Sequence, residues 1–223
     1  MNYQLNFFFV WRHFGMLLDG LRVSLEITGL TILIGLAAGF VVALMRMSRL
    51  RLLAWPATAF IEFFRCTPML VQIVWVFYCL PILFGLAIDP FESALLALSL
   101  NLTAFNAEAY RAAIQAIPRA HLDAGVALGL SPFQRVRTII LPQAIRMAVP
   151  VLMTNGIGTF QQSALVSIVA IADLMYEGKL LATQTYRPIE TLTTVAFLYF
   201  AIAFPIAQIV KLVEDRLAAK IGG

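Results

Sequence analysis

Charge is what this sequence has little of. Only 13% of its 223 residues are charged while 61% are hydrophobic, and its mean hydropathy is +0.87. That balance excludes a water-soluble domain of ordinary composition. Cysteine is equally scarce: Cys66 and Cys79 share one apolar stretch with no CxxC spacing and no histidine nearby, so both read as small buried hydrophobes rather than a disulfide or a metal site. Histidine is confined to His13 and His121, and neither has partners that would suggest a metal or proton role. Where a cleavable leader would have an apolar centre and a small-residue cleavage site, the first twenty residues hold Arg12, His13 and Asp19, so no leader is expected. A phosphate-binding loop is missing too. The Gly178–Lys179 pair is followed by Leu180 and preceded at the required distance by Asp173 rather than glycine.

What is there is apolar sequence long enough to cross a bilayer several times, at about 20 residues per crossing. The expectation is an all-α integral membrane protein with about five transmembrane helices in a single domain, 1–223. The spans are drawn at 21–45, 55–84, 91–112, 145–172 and 191–212, with tilting, breaks at Pro68 or Pro150, or interfacial ends expected in the two longest. Residues 1–20, rich in Phe, Trp and Met, read as an interfacial segment.

The sixteen basic residues form no block suited to nucleic acid, so no nucleic-acid partner is expected. They set orientation instead. Arg46, Arg49 and Arg51, then Arg111, Arg119, Arg135, Arg137 and Arg146, then Lys211, Arg216 and Lys220 fall on one side of the five-span drawing; Arg12, Arg22, Lys179 and Arg187 fall on the other. The positive-inside rule places the N-terminus outside and the C-terminus in the cytoplasm. The longest connection, 117–142, is then cytoplasmic.

That connection, with HLDAGVALGLSPFQRVRTIILP at its centre, is punctuated like folded structure. Pro118 suits the first turn of a helix over 119–128, with Leu122, Val126 and Gly129 on one face. Gly129 and Leu130 end it. Ser131, Pro132 and Gln134 start another as N-cap, N1 and the third member of a capping box, and Leu141–Pro142 is expected to break it before the fourth span. Two readings are open on these residues alone: an amphipathic segment on anionic lipid, or a docking element for a soluble partner.

The order DAGVALG, then Leu141–Pro142 twelve residues on, resembles the EAA loop of membrane subunits of bacterial ABC importers. The stretches EFFRCTPMLVQ (62–72), NAEAYRAAIQAIP (106–118) and IILPQAIRMAVP (139–150) resemble the polar amino acid permease branch of that family. The resemblance implies the type I importer permease fold and docking of the cytoplasmic loop, through Asp123, Ala124, Gly125, Gly129, Leu130 and Ser131, onto an ABC ATPase dimer. It further implies a second permease copy or a homologous permease, an extracytoplasmic amino-acid-binding protein, and the bacterial cytoplasmic membrane as location. No cofactor is expected on this chain, ATP and Mg belonging to the partner ATPase, and the chain itself is not expected to be an enzyme. The sequence departs from the family pattern at Asp123 and Gly125, at Ala120–His121 where a Gly-Gln pair is usual, and at Gln161, Gln162, Ser163 where Lys-Asp-Thr or Gln-Asp-Thr is usual. Gln161 leans towards acidic or neutral substrates over basic ones.

A charge at the bilayer centre costs about 2.5 to 3.5 kcal/mol on insertion scales, so each polar group at depth should pair, line a cavity or sit near an interface. Candidates for a substrate path are Asn155, Thr159, Gln161, Gln162 and Ser163 in the fourth span, whose competing reading is interhelical glue, and Glu62 with Arg65 in the second, whose competing reading is an i, i+3 ion pair. Glu108 with Arg111 reads as a structural pair and Gly35 with Gly39 as a packing face. An ATP-driven importer permease is the reading these features favour. The alternative is a secondary transporter or channel with an amphipathic cytoplasmic loop, which would want an inverted repeat or a proton-carrying carboxylate at depth; neither is visible.

Overall fold

The computed structural model describes residues 5–219, so the first four residues of the interfacial segment, and Lys220 of the orientation argument, lie outside the described residues. Among the described residues the fold is helical throughout, without strands: α1 Phe7–Arg12, α2 Phe14–Arg46, α3 Arg51–Cys66, α4 Met69–Phe84, α5 Pro90–Gln115, α6 Arg119–Ala127, α7 Pro132–Arg135, α8 Leu141–Gln162, α9 Leu174–Thr185 and α10 Pro188–Ala219. A π turn, Val136–Ile140, joins α7 to α8, and a 3-10 helix, Ser163–Val169, follows α8.

Three continuous helical runs are long and apolar enough to cross a membrane: Phe14–Arg46, Pro132–Val169 and Pro188–Leu217. The second expected span is not one helix. It is α3 and α4, bent by 108° at a two-residue break, and counts as a fourth crossing only if the pair acts as one. Pro68 causes the break, since it disfavours helical backbone at Thr67 and has no N–H to donate. Gln72 compensates: its Nε2 donates to Thr67 O at 3.0 Å and to Thr67 Oγ1 at 2.7 Å. Pro150, by contrast, stays inside α8.

The third expected span, α5, falls short on hydropathy for a structural reason. Ser93, Ser99, Asn101, Thr103 and Asn106 are all buried, so its polar face is covered by protein rather than lipid. The fourth span departs from its drawing at its end. Regular α-helix stops at Gln162, tightens to 3-10 as far as Val169, and closes on Ala170 in the left-handed region at φ 58°.

The chain divides into two compact units. One comprises the segments up to Leu33, Thr67–Leu100 and Ile157–Ala207. Its core joins Ile27, Ile73, Leu98 and Val166, with a second cluster of Leu17, Leu174, Leu181 and Val195. The other comprises Ile34–Cys66, Asn101–Gly156 and the chain from Gln208 onward. Ala43, Ile61 and Ala107 meet there.

In this second unit the GxxxG of α2 is a packing face against α5. A Cβ on Gly35 would stand 2.7 Å from the Leu102 side chain, and one on Gly39 would stand 2.8 Å from Asn106 Cβ and 3.2 Å from the backbone at Thr103 and Ala107. Backbone cannot step aside. Gly39→Ala should therefore destabilise the protein by about 1 to 3 kcal/mol, the usual cost of overpacking. Gly125 offers the contrast, because the atom 2.7 Å from its would-be Cβ is the Ile139 Cδ1 methyl, the free end of a flexible side chain. Gly125→Ala should be neutral or stabilising by up to about 1 kcal/mol, the helix propensity of alanine over glycine. Thermal unfolding of the two variants in detergent distinguishes them; equal losses would contradict the packing.

Candidate functional site: a folded loop and two polar clusters

The loop between α5 and α8 is shaped by its caps. Gly129 takes φ 70°, and with it the Leu130 N–H donates to Gly125 O at 3.0 Å and the Gly129 N–H to Val126 O at 2.9 Å. This is a complete Schellman termination of α6. One residue on, Ser131 N donates to Gln134 Oε1 at 2.8 Å while Ser131 Oγ accepts from Gln134 N at 3.3 Å, the capping box expected from the sequence. Two helices so capped hold a defined angle without a core of their own.

Two expectations about this loop are corrected, and a third is sharpened. Pro118 is the N-cap of α6, extended at φ −59° and ψ 135°, rather than its first helical residue. The face shared by Leu122, Val126 and Gly129 is not the covered one: Gly125 is the buried residue, and Val126 is 55% exposed. Leu141–Pro142 breaks nothing. Helix continues from Pro132 to Gln162 because the π turn carries the chain across the proline, with the Leu141 N–H reaching Val136 O five residues back. The wider turn relieves the clash between the Pro142 ring and the carbonyl four residues before it.

Among polar residues such as His121, Asp123, Gln134 and Arg137, the loop also turns large apolar side chains outward. Leu128 is 77% exposed and Phe133 72% exposed, beside Val126, while Asp123 and Ala124 are also exposed. Exposed leucine, valine and phenylalanine on a rigid, double-capped knob form a surface that water does not favour.

Behind the loop, in the same unit, four charged residues from three helices converge. Arg46 Nη1 donates to Glu108 Oε2 at 2.7 Å and Arg46 Nη2 to Glu62 Oε1 at 3.1 Å. Arg111 donates to both Glu108 oxygens, at 2.9 Å through Nε, and to Gln115 Oε1. The expected Glu108–Arg111 pair is present, but the i, i+3 pairing of Glu62 with Arg65 gives way to Arg46. Arg65 instead sits 5.7 Å from the Phe105 ring centroid. A cation over an aromatic face keeps its charge accessible. Nearby in sequence, Asn155 Nδ2 donates to Asn106 Oδ1 at 3.0 Å, and Asn106 is 1% exposed.

The other unit holds the remaining path candidates. Thr159 and Ser163 are buried, with Ser163 Oγ donating to Phe160 O at 2.8 Å; Gln162 is half-buried and Gln161 exposed. Gln161 therefore does not share the covered face of Thr159 and Gln162. This unit also contains a cluster that the sequence reading passed over. Asp173, fully buried, caps α9 by accepting from Tyr176 N at 2.9 Å and Met175 N at 3.3 Å, and accepts from the Tyr199 hydroxyl at 3.4 Å. Gly20 lets α2 approach so closely that a Cβ there would stand 2.8 Å from Asp173 O, and Ser24 Oγ accepts from Leu174 N at 3.1 Å.

Burial pushes the Asp173 carboxyl up to about 6, against the opposing pull of the Tyr176 and Met175 amides, Tyr199 and Lys179. A folded-state value above the unfolded one means the folded protein binds the proton more tightly, so the stabilisation is fully present below about pH 4 and is lost as pH rises through about 6. Stability should thus increase by about 2.5 kcal/mol between pH 7 and pH 4 from this group alone, since a shift of two pKa units is worth about 2.7 kcal/mol in full. Asp173→Asn should remove that component of the slope. An unchanged slope in thermal unfolding across this range would contradict it.

Residues 32–219 match the family model described as the binding-protein-dependent transport system inner membrane component. The chain belongs to that family. Among relatives, the permease is 33% identical over 201 residues to the arginine transport system permease protein of Bacillus subtilis, covering 90% of this chain and 92% of that one. It is 34% identical over 209 residues to the glutamate/aspartate import permease protein of Escherichia coli, covering 91% and 93%. Among solved structures, a chain of an amino acid ABC transporter crystallised with histidines superposes with a TM-score of 0.90 at 32% identity, covering 96% of this chain and 100% of that one. A chain of the MetNI methionine ABC transporter in an inward-facing conformation superposes with a TM-score of 0.70 at 24% identity, covering 89% and 96%, which speaks to the fold alone. The type I importer permease fold is thereby shown, and the permease is a multi-pass inner membrane protein.

In the permease, three polar features lay beyond the expectations drawn from the sequence. Arg46 appeared in the sequence only as a topology charge, because nothing in a linear pattern says that a helix end will meet a carboxylate 62 residues on. His121 was given no role, yet its Nδ1–H donates to Gln143 Oε1 at 2.9 Å, and Gln143 Nε2 donates to Ile139 O at 2.9 Å. Asp173 had a usable signal: an acidic residue just ahead of a helical run is an N-cap pattern.

Proposed function

We propose that this chain is the permease subunit of an ATP-driven importer of polar amino acids, working by alternating access in the cytoplasmic membrane. The observation that carries the reading is the capped knob of α6 and α7, with Val126, Leu128 and Phe133 exposed on it, in a chain that aligns over nine-tenths of its length with an amino acid transport permease. A knob of that kind presents a folded face to a soluble partner, which the chain needs because it has no phosphate-binding loop of its own.

In this reading Asp123, Ala124, Gly125, Gly129, Leu130 and Ser131 shape the contact with an ABC ATPase dimer that holds ATP and Mg. A second permease, identical or homologous, completes the membrane part, and an extracytoplasmic binding protein delivers the amino acid. The five crossings keep the N-terminus outside and the C-terminus in the cytoplasm, with 117–142 on the ATPase side. Along α8, Asn155, Thr159 and Gln162 recur at i, i+4 and i+7 and supply uncharged hydrogen-bonding groups, which suit an amino acid that must be released again. Arg65 adds an accessible cation, and exposed Gln161 in place of a lysine leans towards acidic or neutral substrates.

The reading is tested by purifying the chain with its ATPase and binding-protein partners, reconstituting it, and measuring binding-protein-stimulated ATP hydrolysis with glutamate, glutamine, arginine and cystine. Stimulation by at least one amino acid, with ATP-dependent uptake of the same compound, is expected. Uptake that proceeds without the ATPase would make it a secondary transporter or channel.

A further inference from the structure

The turn between α2 and α3, with the first residues of α3, carries positive charge that nothing in the chain answers. From Ile27 to Ile61 the sequence holds Arg46, Arg49 and Arg51 and no acidic residue. Arg46 is taken up by Glu108 and Glu62. Arg49 and Arg51 are both exposed, and among the described residues neither makes a hydrogen bond or an ion pair. Arg51 is also the first residue of α3, with no acidic side chain in that turn, where the positive end of the helix dipole repels a cation. Beside these charges α3 turns an apolar stripe outward. Leu52, Trp55, Ala59 and Phe63 recur at i, i+3, i+7 and i+11 on one face, while Ala57 and Ile61 are buried on the opposite one. Leu52 is 86% exposed and Trp55 78%. Pro56 limits how deep this end can lie. Lacking an N–H, it leaves the Leu52 carbonyl without its helical donor, a group that hydrocarbon accommodates poorly. The first turn of α3 therefore belongs at the polar boundary of the membrane, with Trp55 at the level that indole favours. The stripe then runs into the acyl chains as far as Phe63, about 16 Å along the helix from Leu52.

We infer that Arg49, Arg51 and Trp55 form a binding surface for the headgroup of an anionic phospholipid, with Leu50 and Leu52 against its acyl chains. Charge complementarity selects the occupant. A second copy of this chain would bring the same excess of arginine to the same side and be repelled, and a zwitterionic headgroup offers the two guanidiniums no net charge. A phosphodiester without a compensating amine does offer one, and guanidinium forks pair with phosphate oxygens through two N–H bonds at once. In the orientation proposed above, the surface faces the cytoplasmic leaflet, where anionic lipids make the membrane surface negative. The site goes beyond the part these arginines play in topology. Orientation depends only on how many cations lie on each side. A headgroup site needs them unpaired, close together and beside an exposed indole, and that is how they stand. A lipid bound there holds the start of the same helix that joins the Arg46 network through Glu62.

The test reads Trp55 directly. In the full-length chain carrying Trp11→Phe and Trp75→Phe, Trp55 is the single tryptophan. That chain is reconstituted into phosphatidylcholine vesicles containing increasing fractions of either brominated phosphatidylglycerol or brominated phosphatidylcholine, and quenching of the Trp55 fluorescence gives the relative affinity of the two lipids. A preference of about fivefold or more for phosphatidylglycerol is expected, the effect of one arginine at an anionic surface. Arg49→Gln with Arg51→Gln should bring the ratio to about one. The melting temperature of that variant in detergent should be unchanged, because neither guanidinium has a partner among the described residues. Arg49→Lys with Arg51→Lys should keep most of the preference, since the charge remains. Equal quenching by the two lipids would overturn the inference, as would a preference that survives the glutamine pair. Absence of quenching by either lipid would show Trp55 covered by protein and overturn it too, and a fall in melting temperature would assign the arginines to the fold instead of the headgroup. Neither ATPase nor amino acid enters the measurement, so its failure is separable from failure of the import reading.

Discussion

Gly129→Asp is expected to abolish ATP-driven uptake while leaving the permease inserted and folded. Gly129 sits at φ 70° with open space where a Cβ would go, so the only native-state cost is that of placing an L residue in the left-handed region. Aspartate tolerates that region better than most, and the cost is about 1 kcal/mol. The consequence falls on the surface instead. The new carboxylate would stand next to Leu128 and near Val126 and Phe133, the exposed apolar residues of the knob. Desolvating an unpaired charge in a docked interface costs several kcal/mol, and about 3 kcal/mol is already a more than hundredfold loss of affinity. Gly129→Asn is the control, because it makes the same demand on the backbone without the charge and should keep most of the uptake. Uptake into vesicles, binding-protein-stimulated ATPase activity and co-purification of the ATPase are the measurements. Normal stimulation with the aspartate variant would rule out the loop as the ATPase contact.

How much of this was legible in the sequence depends on how local each feature is. The Gly129 termination and the Ser131–Gln134 box were readable because their partners lie within five residues, and glycine or serine at such positions has a single stereochemical use. The Gly35–Gly39 face was readable as packing, though its partner, α5, was not. Pro142 misled. A proline after a helical pattern ordinarily ends it, and the chain's way around, a π turn supported by the Gln143 side chain, leaves no composition signal. The second span went the other way: hydropathy is continuous from Trp55 to Phe84, and the break expected at Pro68 is there. Hydropathy also undervalues α5, whose polar residues are satisfied or covered inside protein. Long-range pairing is the common factor in what was missed. Glu62 had two arginines within chemical reach of its carboxylate, and three residues of sequence separation favoured Arg65 while the packing of helices chose Arg46.

That choice makes Glu108 the residue on which the network turns. It accepts from Arg46 and Arg111 with its side chain only 21% exposed, whereas Glu62, on the other arm of Arg46, is 50% exposed. Exposure decides the magnitudes. An ion pair half in water is worth about 0 to 1 kcal/mol, so Glu62→Gln should change stability little. Removing one partner of a mostly covered pair leaves the remaining charge poorly solvated, at about 3 to 5 kcal/mol when burial is complete and less in proportion to residual exposure. Glu108→Gln takes the carboxylate from Arg111, 24% exposed, and leaves Arg46, 17% exposed, with only the half-exposed Glu62 as counter-charge. A loss of about 2 to 4 kcal/mol is expected, read as a fall in melting temperature in detergent. Combining it with Arg46→Gln removes a charge that has already lost its more buried partner, so the double variant should be less damaged than the sum of the singles by about 1 to 3 kcal/mol. Strict additivity would mean that Arg46 and Glu108 do not interact, and that packing rather than charge holds the end of α5 to α2.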